Sequence, residues 1–263
     1  MATVDTHVGG AAGFAIRELT LEQPWSWLGA GWRDLWTRPE ISLGYGLAVV
    51  VASYALTACL VYLDVLPLLL PLAAGFMLLG PMLAVGLYEA SRRMQAKEPV
   101  SPTAVIFVAT RSPAQLAFMG ALLTILLMAW WLIAFTLFAV FFGASGLPPI
   151  DQWVQVLLFT GRGLGFLILG TATGGVLALL VFALSVVSVP ILMRHDTDAV
   201  TAMLTSLRSV QQNPWPMLLW AWLIMLLIAF GLATLYLGLI VTFPLVGHAT
   251  WYAYRDIVAG AED

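Results

Sequence analysis

The sequence predicts an all-α membrane protein with six transmembrane helices arranged as three hairpins, each preceded by an amphipathic helix at the cytoplasmic interface. Three observations carry this reading. Of the 263 residues, 61% are apolar and 10% charged, with a mean hydropathy of +0.95, whereas soluble domains run at about 45–50% apolar and about 25% charged. Uncharged stretches long enough to cross a bilayer recur along the chain. Lys and Arg fall between them in a one-sided pattern. The same composition excludes a secreted disulfide scaffold and a disordered regulator. A net charge of −3 gives no basic face for nucleic acid.

The elements follow in order. Residues 1–15 read as a disordered tail with no secretory signal, because the first long apolar span starts only near Ile41. Met1-Ala2-Thr3 lacks the glycine for myristoylation, and the Ala-Glu-Asp terminus is no prenylation box. Residues 16–258 form one membrane domain, and 259–263 a C-terminal tail. The first span runs over 41–63 and the second over 65–88, joined by a tight turn at Asp64 and Pro67. The third covers 114–142 and the fourth 163–193, separated by a turn-rich loop at 143–149 and a segment, 151–160, lying along the interface. The uncharged stretch 209–254 has 46 residues, about twice the ~20 that one crossing needs, so it folds back near Tyr236 to Gly238 into spans five and six. A five-span reading is the alternative. With six spans, ten of the eleven Lys and Arg residues share one face with both termini, and Arg162 alone lies opposite. This places the termini in the cytoplasm.

A unit of short amphipathic segment, proline and hydrophobic hairpin recurs over 22–98, 99–197 and 198–258. In the first copy Trp25, Leu28, Trp32, Leu35 and Trp36 share a helical face before Pro39. In the third, Val200, Met203, Leu204, Leu207 and Val210 do so before Pro214, with Asp198 placed to cap the helix. The middle copy, 101–111 before Pro113, has a blurred face. These segments suit burial in the acyl boundary. Trp25, Trp27, Trp32, Trp36, Trp153, Trp215 and Trp251 fall near expected interfaces, as in an aromatic belt.

Side chains able to carry chemistry are few. No Asp, Glu, Lys or Arg lies within the six spans, and Glu89 falls just past the second, near enough to the interface to be solvated. This weighs against ion coupling. His7 sits in the tail and His195 at a helix end. His248, four residues after Pro244, is the one histidine within a span and the weak candidate for a haem or metal ligand; with no second histidine in any span, an interfacial hydrogen bond is the plainer reading. The expectation is therefore no cofactor and no metal. The single cysteine, Cys59, excludes an internal disulfide. Small-residue spacings in span four, 161–165 and 170–175, allow close helix approach, more simply within the chain than as a dimer seam. No Ser-His-Asp set, zinc motif or carboxylate pair can be assembled, so the chain is not read as an enzyme.

Leu35-Trp36-Thr37-Arg38-Pro39, the run 206–214 ending at Pro214, and the run 243–256 from Phe243 to Asp256 resemble a bacterial family of integral membrane proteins classed as a domain of unknown function, over about 16–258. Some members are labelled as a cytochrome c oxidase subunit. The resemblance implies an inner-membrane protein with no functional residues to carry over. One intramembrane histidine is too few for the catalytic oxidase subunit. Two function classes remain: a non-enzymatic scaffold or accessory subunit with partners in a membrane complex or a second copy, favoured by the charge-free spans, and a permease or lipid-handling channel for a neutral or amphipathic substrate. The bilayer is a partner in both.

Overall fold

The structure, a computed structural model, describes residues 14–143 and 152–260. The expected tail up to residue 13, most of the 143–149 loop, Asp151 and residues 261–263 lie outside the described residues. Among the described residues the fold is helical throughout, with a single isolated bridge between Ile16 and Val258.

A first helix, Gln23–Thr37 (α1), leads into Pro39–Tyr62 (α2). The chain reverses at Asp64, whose φ of 56° is the left-handed conformation a tight turn demands. After a 3-10 turn, Leu69–Leu83 (α3) and Val85–Gln95 (α4) follow, with Pro81 inside α3 removing one backbone donor just before the break at Ala84. The short Pro102–Ile106 (α5) precedes the long Pro113–Phe142 (α6). Beyond the undescribed loop come Trp153–Phe159 (α7), Gly161–Ser185 (α8) and Ser188–Arg194 (α9), and then Ala199–Gln212 (α10), Pro214–Ala233 (α11) and Leu239–Ile257 (α12).

Pro39, Pro113 and Pro214 each follow a short helix and open a long one in its first turn. There a missing N–H costs nothing, and the fixed φ of proline is already helical. Asp198 caps α10 as its position implies, accepting from the Thr201 hydroxyl at 2.7 Å and from the Thr201 N–H at 2.9 Å. Those bonds hold its carboxyl below the usual carboxylate range.

Among the described residues, five stretches are long and apolar enough to cross a membrane: Pro39–Tyr62, Pro71–Gln95, Pro113–Phe142, Gly161–Arg194 and Pro214–Ala233. They match the first five expected spans. The fold-back expected near Tyr236 is present, with Leu235 and Tyr236 at φ 54° and 70° between α11 and α12. The helix that returns, α12, is not among the five. Twelve of its 19 residues are buried, packed among α1, α2, α4 and α11. A helix enclosed by protein has no need of the apolar circumference that lipid demands. Its glycine contacts are tight. A Cβ on Gly46 of α2 would collide with the Ile240 backbone, and one on Gly31 of α1 would stand 2.8 Å from the Ala249 nitrogen.

The expected apolar face of α1 is divided. Trp25, Trp32 and Trp36 are exposed, but Leu35 is buried in the protein, as is Trp27. Trp27 meets Trp220 edge-on and donates to Asp256 at 2.6 Å, and Trp251 is likewise buried, donating to Gln95 at 3.0 Å. These two tryptophans are internal anchors, not members of a belt. On α10 the small residues Ala199, Ala202, Ser206 and Ser209 face the protein, while Val200 and Leu204 point outward. In α8, Gly165 and Gly174 pack against Phe141 and Trp130, whereas Gly161, Gly170 and Gly175 meet nothing within 4 Å.

Candidate functional site

The polar centre of the molecule is built around His248. On α12 it follows Gly247, whose missing Cβ lets Leu87 of α4 come close. The imidazole is fully buried and both ring nitrogens are occupied. Nδ1 lies 2.8 Å from the Ser91 hydroxyl of α4, and Nε2 lies 2.9 Å from the Ser42 hydroxyl of α2. Ser91 donates to Oδ2 of Asp34 on α1 at 2.7 Å, and Tyr252 donates to Oδ1 at 3.0 Å.

These bonds fix their own direction. A hydroxyl has one proton, so Ser91, having given its proton to Asp34, accepts from Nδ1–H. A neutral imidazole then has Nε2 as acceptor for the Ser42 proton. Burial raises the Asp34 carboxyl above the usual carboxylate range, against the lowering effect of the Ser91 and Tyr252 hydroxyls and of Arg33.

The sequence reading that no Ser, His and Asp come together is thus corrected: Ser42, His248, Ser91 and Asp34 form one hydrogen-bonded line drawn from four helices. The signal for Asp34 was present, since it shares an inward helical face with Trp27, Gly31 and Leu35 at i, i+4, i+7 and i+8. Ser42 and Ser91 carry no such mark. The order of groups is that of a base-activated hydroxyl, yet Ser42 is sealed from solvent and is not part of the wall of the large apolar cavity. A metal at Nε2 would have to displace Ser42. The arrangement therefore ties α1, α2, α4 and α12 together.

Glu89 also departs from expectation. It is buried rather than solvated, held by Arg92 at 2.8 Å and Arg93 at 2.6 Å. Arg92 reaches on to Glu98 at 2.6 Å and, by hydrogen bonding, holds that carboxyl below its ordinary value. A buried carboxylate needs such partners. His195 receives or gives a hydrogen bond with the Tyr254 hydroxyl at 2.9 Å and meets the Phe14 ring at 4.7 Å. Burial, with Arg194 nearby, lowers its pKa.

The second feature is a cavity of about 880 Å³ walled by α3, α4, α8, α11 and α12. Phe76 and Pro81, Ala178 and Phe182, Leu218 and Ile228, and Phe243 and Val246 supply its surface, and no charged side chain lines it. From Trp215 to Ile228 along α11 it extends about 20 Å at 1.5 Å per residue, which exceeds the roughly 15 Å of one leaflet's hydrocarbon. Its three hydroxyl-bearing residues are Tyr88, Ser185 and Thr250. Ser185 donates back to the Val181 carbonyl at 2.7 Å and Thr250 to the Val246 carbonyl at 2.8 Å, so neither offers its proton to the cavity. Sequence reasoning did not find this space, because its walls are apolar residues like those of any membrane span.

No curated protein and no solved structure matches the chain. The segments on which the sequence resemblance rests, 35–39, 206–214 and 243–256, lie outside the stretch that does match a family. Residues 69–196, just under half of the chain and running from α3 to α9, match the family described as "Predicted integral membrane protein (DUF2189)", the same kind of protein that the apolar helices α3, α6 and α8 require.

Proposed function

We propose that the protein is a multi-pass protein of the bacterial inner membrane that holds a lipid chain in the cavity between α3, α8, α11 and α12. Of the two classes left by the sequence, the cavity favours lipid handling over a scaffold. It is apolar, uncharged and walled by candidate membrane spans together with α12. Such a space takes up hydrocarbon rather than an ion or a sugar. No catalytic step is part of this reading.

A six-span topology with cytoplasmic termini goes with it. Ile16 pairs with Val258, and the Ala259 N–H donates to the Ala15 carbonyl at 2.9 Å. Neighbours at the two ends of a chain require an even number of crossings between them, which favours six over five. The turn after α11 lies beside the later part of α2, where Tyr54 donates to the Leu235 carbonyl at 2.7 Å. The outward Trp25, Trp32 and Trp36 of α1, Val200 and Leu204 of α10, and the exposed pair Ile106 and Phe107 support α1, α5 and α10 lying in the acyl boundary on the cytoplasmic side.

Purification of the full chain in mild detergent, followed by native mass spectrometry, tests the function. We expect about one lipid retained per chain by the mass-action logic of a single site. It should be lost in Gly175→Leu and Ala221→Phe, which fill the cavity, with the melting temperature kept. A lipid-free wild type, or lipid retained in both variants, overturns the proposal. Stoichiometric respiratory subunits in place of lipid would return the scaffold reading.

A further inference from the structure

Tyr88 stands apart among the cavity's polar side chains. It is 2% exposed and lines the cavity. Its hydroxyl makes no hydrogen bond with any described residue, and it is not among the sealed unpartnered atoms, which are Trp220 Nε1 and Thr242 Oγ1. The neighbouring phenol, Tyr45, is already committed to the Leu83 carbonyl. Tyr88 thus keeps a free, buried hydroxyl in a space whose only other uncommitted polar side chains are the largely exposed Trp215 and Trp222. A buried hydroxyl without a partner is costly unless something in the cavity accepts from it.

Position narrows what that acceptor is. Tyr88 stands with Thr250, Gly247, Trp215 and Leu21 toward the end of the cavity nearest the paired termini, while Phe76 and Ile228 line it further along their helices. An occupant with its chain along α11 therefore has its polar end at Tyr88. Phenol donates well to a neutral carbonyl. The absence of Lys and Arg from the lining leaves no counter-ion for a carboxylate or phosphate within the cavity.

We infer that the cavity is an ester-lipid site, in which the Tyr88 hydroxyl donates to the ester carbonyl of an acyl chain laid between α8 and α11. This rests on the lipid-binding reading above and adds the chemistry of the ligand. The same carbonyl occurs in a neutral ester and at the glycerol level of a phospholipid whose headgroup stays outside at the interface.

The test uses delipidated full-length protein, wild type and Tyr88→Phe, with quenching of tryptophan fluorescence by dibrominated chains. Three probes are compared: 9,10-dibromooctadecane, methyl 9,10-dibromostearate and a phosphatidylglycerol carrying the same brominated chain. Loss of one neutral hydrogen bond, about 1 kcal/mol, corresponds to about five-fold in affinity. Tyr88→Phe should therefore weaken the methyl ester about five-fold, leave the alkane unchanged and keep or raise the melting temperature of the delipidated protein. Phospholipid binding that weakens in parallel identifies the membrane lipid as the source, and phospholipid that does not quench identifies a neutral ester. If all probes bind wild type and variant alike, the ester contact is overturned while the lipid cavity stands. If none quenches saturably, the cavity reading fails as well.

Discussion

Ser91 has two duties at one oxygen: it gives its proton to a buried carboxylate and takes one from a buried imidazole. Ser42 serves His248 alone among side chains. Removing a bond to a charged group costs about 1.5–3 kcal/mol, against about 1 for a neutral one. Ser91→Ala should therefore lower the melting temperature of the detergent-solubilised protein clearly more than Ser42→Ala, and equal effects would show that Asp34 is held by Tyr252 alone. At this scale the sequence was half legible. His248 stood out because an ionisable group in an apolar run is rare. Its partners did not, because they arrive from 206 and 157 residues away, and a serine in a membrane helix usually does no more than bond its own backbone.

At the scale of helices, the close crossing of α2 and α12 depends on a missing side chain. Gly46→Ala would drive a Cβ into the Ile240 backbone, whereas Gly44, two residues earlier, has open space around it. Overpacking of this kind costs about 1–3 kcal/mol. Gly44→Ala should be neutral or stabilising by up to about 1 kcal/mol from helix propensity, and melting curves of the two variants give the comparison. Helix starts were readable because Pro39, Pro113 and Pro214 mark them. The glycines that matter were not. The runs in span four drew attention by their density, yet the close crossings of α12 with α1, α2 and α4 fall at isolated Gly31, Gly46 and Gly247, where only the partner helix gives the residue its meaning. For α12, hydropathy is a poor guide, since it reports contact with lipid and this helix is enclosed by protein.

For the molecule as a whole, charge placement and end pairing point the same way. Ten of eleven Lys and Arg residues fall on the side of the termini in a six-span arrangement, and Leu19 of the N-terminal segment donates to Asn213, just before α11, at 2.8 Å. Reporter fusions after Asp64, near Asp151 and at Gly238 should all read periplasmic, with fusions at both termini cytoplasmic. A cytoplasmic reading at Gly238 would make α11 and α12 a re-entrant pair and reduce the crossings to four. Overall class and span order were thus legible from composition, which senses the solvent around a helix. The cavity was not, because it is a relation among five helices and leaves no trace in any one of them.

The line from Asp34 to His248 also sets an order of events. Its first three members, on α1, α2 and α4, leave the ribosome early, and the fourth belongs to the last helix made. Until α12 arrives, the Asp34 carboxyl and the Ser42 and Ser91 hydroxyls have no imidazole between them, and α1 lacks the helix against which it packs. A chain ending before residue 239 therefore leaves Ser42 without His248 and Asp34 without Tyr252, and only the completed chain closes the line.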